Sequence, residues 1–191
     1  MCYHLCMWHP VLTGNADPMR HDGSPSWDGG AHCSGTFLPG SARLGAYIRR
    51  HFPFVYDVNG YACRPNTANA DELSVHGTGR AIDLMIRPMN GQADRRGDEV
   101  ANWLIQHAAD IGVQLIIWDH TIWNNRTPNS AREYTASSHI NHIHVELNEL
   151  GARERTPFFT QGMDRYAPEP DDGPSILPAL AIGVLVYWLA K

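Results

Sequence analysis

A single carboxylate constrains this chain more than any other residue. Asp83 stands inside Arg80-Ala-Ile-Asp-Leu-Met-Ile86, a run that otherwise reads as a strand and ends before Pro88. Alternate residues of a strand point to one face, so Ala81, Asp83 and Met85 share a side. An unpaired carboxylate is costly to bury among apolar neighbours. Either a cation stands beside Asp83, or backbone groups or Arg80 donate hydrogen bonds to it.

The histidines favour asking about a metal. The chain carries 11 of them in 191 residues, and the informative ones fall in two segments. One is Ser74-Val-His-Gly-Thr-Gly-Arg-Ala-Ile-Asp83 and the other is His139-Ile-Asn-His-Ile-His-Val145. On a strand, His142 and His144 project to the same face about 6.5–7 Å apart. His139 lies just before them, where the chain can curl back. A zinc ion that activates water needs three protein ligands and one open position. Two histidines are too few, so a partner must come from elsewhere. The first segment offers His76, followed by the permissive Gly77-Thr-Gly79, together with Asp83.

The rest of the pattern predicts an α+β domain on a small, mostly antiparallel sheet with flanking helices. Leu44, Tyr47, Ile48 and His51 mark a helix that begins near Pro39 and stops at Pro53. Phe54–Val58 reads as a short strand closed by Asn59-Gly60. Asp98–Ile111 reads as one helix, with Asp98 as its cap and Gly112 as its stop. Val113–Trp118 is an apolar, β-branched run suited to a central strand, and Ile140–Leu147 reads as another. Residues 64–72 and 124–138 read as polar loops. Trp118, Asp119 and Trp123, following the central strand, are candidates for a wall of a cleft, whereas Trp103 reads as core.

The organisation is then an N-terminal arm (1–32), one domain (33–165), a proline-rich acidic linker (166–175) and an apolar tail (176–190). The tail has no charged residue and would span about 22 Å as a helix, short of a hydrocarbon core of about 30 Å. It reads as a membrane anchor, or as an apolar tail that packs on the domain or on a partner. Met1–Pro10 does not read as a signal peptide, which leaves any export route open. Cys33 and Cys63 are either a disulfide, implying an oxidising compartment, or two buried thiols. Cys2, His4, Cys6 and His9 read as part of the unstructured arm rather than as a chelate. The net charge of −5 argues against a nucleic-acid partner.

Taken together, the two histidine segments resemble the LAS group of zinc peptidases. That group includes D-Ala-D-Ala carboxypeptidases, murein endopeptidases and the hedgehog signalling domain. The resemblance covers about residues 33–150 and implies the LAS/hedgehog-like fold. It implies zinc ligands at His76, Asp83 and His144, with water as the fourth ligand. The carboxypeptidase branch has a Glu three residues before the last ligand, where this chain has Asn141. The triplet His139, His142, His144 is instead similar to the murein endopeptidase branch. His142 is therefore the expected base or proton shuttle, and His139 supports it or polarises the substrate carbonyl. Glu146, on the same strand face, is the second candidate for the base.

Gly60-Tyr-Ala-Cys-Arg64 is similar to the Gly-Tyr-Arg stretch of these enzymes, although Ala62 and Cys63 interrupt it. Arg64 is the candidate for binding a carboxylate or an oxyanion, with a surface arginine as the alternative. Ser74 and Trp118 are the expected substrate contacts. The expected activity is zinc-dependent hydrolysis of an amide bond in peptidoglycan stems or cross-bridges, with an endopeptidase favoured over a carboxypeptidase. The expected location is the cell envelope, outside the cytoplasm. The alternatives are a peptidoglycan-binding module that has lost catalysis, and an anchored structural protein whose zinc only holds the fold.

Overall fold

The computed structural model describes residues 32–67, 69–125 and 131–168. Nearly all of the N-terminal arm, most of the linker and the apolar tail lie outside the described residues, as do Cys2, His4, Cys6 and His9. Among the described residues no helix is long and apolar enough to cross a membrane.

Helix α1 (Pro39–His51) opens on a proline, whose missing N–H costs nothing at that position. Its last turn carries Arg49, Arg50 and His51, which complement the negative end of the helix. Strands β1 (Asp57–Asn59) and β2 (Ala81–Met85) follow, separated by a single 3₁₀ turn at Val75–Thr78. Helices α2 (Arg96–Gln106) and α3 (Ala108–Ile111) lead into β3 (Val113–Trp118) and β4 (Thr121–Asn124). The remaining elements are β5 (Arg132–Glu133), β6 (His142–Leu147), α4 (Glu149–Ala152), α5 (Pro157–Thr160) and a 3₁₀ turn at Met163–Tyr166.

These strands form one sheet in the order β1-β2-β6-β3-β4-β5, and every neighbouring pair is antiparallel. The α+β class and the antiparallel sheet expected from the pattern are both present. The two faces of the sheet differ in chemistry. Ile82, Leu84, Ile116, Trp118, Ile143, Val145 and Leu147 point to one face and join Leu44, Ile48, Val100, Leu104 and Phe158 in the main core. Burying each such side chain contributes about 1.5–3 kcal/mol before entropy is counted. The opposite face carries Asp83, His144, Glu146 and a small separate apolar cluster of Leu115, Ile117 and Ile122.

Local expectations shifted in four places. The first strand lies at Asp57–Asn59 rather than Phe54–Val58, because its ladder with β2 pairs Asp57 with Met85 and Asn59 with Asp83. The long helix is divided at His107 into α2 and α3. Asp98 lies inside the first turn of α2 and does not cap it. Its Oδ1 instead accepts from Trp118 Nε1 at 3.0 Å. Finally, β4 and β5 lie within or beside the stretch read as a polar loop.

Candidate metal centre

The register of β2 against β6 builds the centre. Asp83 pairs directly with His144, Met85 with His142 and Ala81 with Glu146. Facing residues on adjacent strands bring their side chains close, so the ladder alone delivers the carboxylate to the imidazole. His76 comes from outside the sheet, on the 3₁₀ turn at Val75–Thr78. That turn closes on Gly79 in the left-handed region. Two backbone bonds lace the preceding chain over it: Ser34 N–H to Gly77 O and Leu38 N–H to Gly79 O, each at 2.9 Å. Cys33 and Cys63 are joined by a disulfide with a Cα–Cα distance of 5.6 Å, which ties the same segment to the loop that carries Arg64.

Gly60 sits against the His76 ring. A Cβ built there would lie 2.9 Å from His76 Cε1 and Nδ1, and the backbone has φ +124°. Both facts require glycine at this position.

One ligand atom from each of His76, Asp83 and His144 lies within 4.8 Å of the others, so the group can hold a metal ion. His144 Nδ1 is 3.1 Å from Asp83 Oδ1. His76 Nε2 is 3.6 Å from the same oxygen, beyond hydrogen-bond range. His76 Nδ1 is buried without a hydrogen-bond partner. That atom faces Gly60, so it is Nε2 that His76 turns towards Asp83 and the candidate centre. Two imidazoles and a carboxylate are also a donor set that suits zinc.

The charges follow from burial and contact. Burial pushes His76 down to about 4, and the neighbouring His144 pushes the same way. Burial also opposes a charge on His144, but its hydrogen bonds to Asp83 and Glu146 outweigh this and raise it to about 9. Burial alone would raise Asp83, yet its hydrogen bond to His144 and the nearby histidines hold it below the usual carboxylate range. Without metal, a protonated His144 offsets one of the two carboxylate charges beside it, those of Asp83 and Glu146.

His142 and His139 stand beside this group. His142 Nε2 is 3.9 Å from Asp83 Oδ1. Its Nδ1 lies 2.7 Å from Asn141 Oδ1. A carboxamide oxygen only accepts, so this contact is a hydrogen bond in the tautomer protonated at Nδ1, in which the neutral ring has Nε2 unprotonated. Burial lowers the pKa of His142, against the opposing pull of Asp83, which favours the neutral ring. The His139 ring is centred 4.6 Å from that of His142 and 6.2 Å from that of His144. Burial pushes it down to about 4, helped by His142 and His144.

All of these side chains line one cavity of about 660 Å³. Ser74, Glu72, Asn66 and Arg64 lie on its polar side. Leu115, Ile117, Ile122 and Tyr134 form an apolar side. Arg64 is exposed, and its Nη1 donates to Pro65 O at 3.2 Å.

One expectation is corrected. Trp118 does not line the cavity and is not a substrate contact. It follows Ile117 on β3, so strand alternation sends it to the opposite face, where it is wholly buried in the main core. Trp123 is buried in that core too, and Asp119 pairs with Arg95 at 3.1 Å. Glu146, the second candidate for the base, lines the cavity. Its Oε1 lies 3.2 Å from His144 Nε2, and its Oε2 accepts from Gln114 Nε2 at 3.0 Å, so both oxygens are engaged. Sequence reasoning missed Gln114. The available signal was one amide within an otherwise apolar strand.

The fold and the site define an α+β domain with a histidine–aspartate group that could hold a metal ion on the open face of its sheet. The model of the family described as VldE, C-terminal domain, matches residues 30–145, more than half of the chain, and the chain belongs to that family. No curated protein and no solved structure matches it.

Proposed function

We propose that this protein is a zinc-dependent peptidase of LAS/hedgehog-like fold that hydrolyses an amide bond in peptidoglycan, as an endopeptidase rather than a carboxypeptidase. The observation that carries the reading is the convergence of His76, Asp83 and His144 within 4.8 Å, with His142 Nε2 3.9 Å from Asp83 Oδ1.

His76, Asp83 and His144 would hold the zinc. A zinc with an open position acts as a Lewis acid and brings the pKa of a bound water towards about 7. His142 Nε2 accepts the proton of the attacking water and returns it to the leaving amine. Asn141 keeps His142 in the tautomer that permits this. His139 packs against His142 and fixes one side of the approach. Arg64, on the cavity wall, offers a guanidinium to a substrate carboxylate or to the developing oxyanion. Ser74 lines the same side, and the apolar side suits a small aliphatic side chain of a stem peptide.

The Cys33–Cys63 disulfide supports an oxidising compartment, consistent with a wall substrate outside the cytoplasm. The test is a digest of purified peptidoglycan by the full chain, with zinc and separately with a chelator, read by mass spectrometry. New stem-peptide fragments that disappear with chelator are expected. Bound zinc without cleavage across several wall chemistries would replace this reading with that of a binding module.

A further inference from the structure

We propose that Glu146, held by Gln114 from a β-bulge in β3, is a positioning residue that fixes the His144 ring for metal binding. This inference rests on the metal-centre reading above.

Glu146 is a conspicuous choice for its position. It sits in mid-strand on β6, is 9% exposed, and shares its sheet face with the apolar Leu115 and Ile117. An apolar residue there would avoid the cost of burying a carboxylate. The carboxylate is instead fully used. One oxygen meets His144 Nε2 at 3.2 Å and the other accepts from Gln114 Nε2 at 3.0 Å. The opposite ring nitrogen of His144, Nδ1, faces Asp83 Oδ1 at 3.1 Å. The imidazole is thus held at Nε2–H by a carboxylate, with Nδ1 presented to the candidate centre. Metal-ligating histidines are commonly oriented in this way, through the nitrogen that does not bind the metal.

The backbone is shaped to serve this contact. The β3–β6 register passes from Val113↔Leu147 to Leu115↔Glu146, so Gln114 is an extra residue with no partner opposite. In a regular strand Val113 and Leu115 would share a face. Here Val113 belongs to the main core, whereas Leu115 belongs to the cluster on the cavity face. The bulge accommodates that reversal and lets the buried Gln114 side chain reach Glu146 on the cavity side. Bulges beside functional sites re-aim side chains in this way.

The test is a competition titration of the full chain against a chromophoric zinc chelator. It compares wild type with Glu146→Ala, Glu146→Gln, Gln114→Ala and Asp83→Asn, with circular dichroism as the check on folding. Glu146→Ala is expected to bind zinc about 10- to 100-fold more weakly. Glu146→Gln keeps an acceptor oxygen for His144 and should recover most of that loss, which a purely structural role of the charge would not predict. Gln114→Ala is expected to weaken binding several-fold, and it decides the matter if Glu146→Ala fails to fold. Zinc affinity within twofold of wild type in the folded Glu146→Ala or Gln114→Ala proteins, with Asp83→Asn unable to bind, would overturn the inference and leave the metal centre standing. A wild-type protein that binds no zinc would overturn both.

Discussion

His142 and Asp83 stand 3.9 Å apart yet carry separable roles. In the proposed mechanism Asp83 belongs to the group that would hold the metal, whereas His142 would handle a proton. His142→Ala should therefore lower turnover by about 10²- to 10⁴-fold while leaving zinc affinity nearly unchanged. Paired kinetics and chelator titration check this, and equal losses in both would contradict it. Gly60 makes a different kind of contribution, because its missing Cβ leaves space for the His76 ring. Gly60→Ala should displace that ring and weaken zinc binding at least tenfold, a loss readable by the same titration. His139 lies in the left-handed region at φ 47°, where a non-glycine residue is strained. His139→Gly should relieve the strain, so that the fold is not weakened in chemical denaturation while activity falls.

At the scale of elements, the site is a property of two neighbouring strands and one turn. The period of two placed Asp83, His142, His144 and Glu146 correctly on their strand faces, because burial on the other face leaves no freedom of register. The alternation also sends Trp118 to the core, a consequence that was legible once Ile117 was assigned to the cavity side. Other features left weaker traces. The β3–β4 hairpin turns through Asp119 and His120, both with positive φ, without the glycine that usually announces such a turn. Strand β5 is two residues long and has no pattern to read. The distance between His76 and the sheet depends on tertiary packing, which spacing along the chain does not encode. Helix α2 approaches β3 closely, since a Cβ at Gly97 would collide with the Trp118 ring. Gly97→Ala should cost about 1–3 kcal/mol of stability, measured by denaturant unfolding, and a neutral outcome would contradict that packing.

For the molecule as a whole, the buried histidines set opposing pH dependences in the metal-free state. His76 and His139 titrate near 4 in the fold against an ordinary 6.5, so below 6.5 the unfolded chain binds more protons and stability falls with falling pH. His144 titrates near 9, so its contribution is fully present below 6.5 and is lost as pH rises through 9. From these groups the metal-free protein should melt highest between about pH 6.5 and 7.5, as thermal scans across pH would show. If His144 is a ligand, zinc binding at pH 7 should release protons, measurable by calorimetry in buffers of different ionisation enthalpy. The disulfide spans 30 residues of sequence separation and fastens the segment that laces over the His76 turn. Replacing Cys33 and Cys63 by Ser should cost about 2–4 kcal/mol.

The central claim is that His76, Asp83 and His144 form a metal centre. Its most direct test is the metal content of the full chain after equilibration with zinc and removal of excess, measured by mass spectrometry of the element, for wild type and Asp83→Asn. The account predicts one zinc per folded wild-type chain and almost none in the folded variant. Zinc retained in full by Asp83→Asn, or absent from wild type, would contradict it.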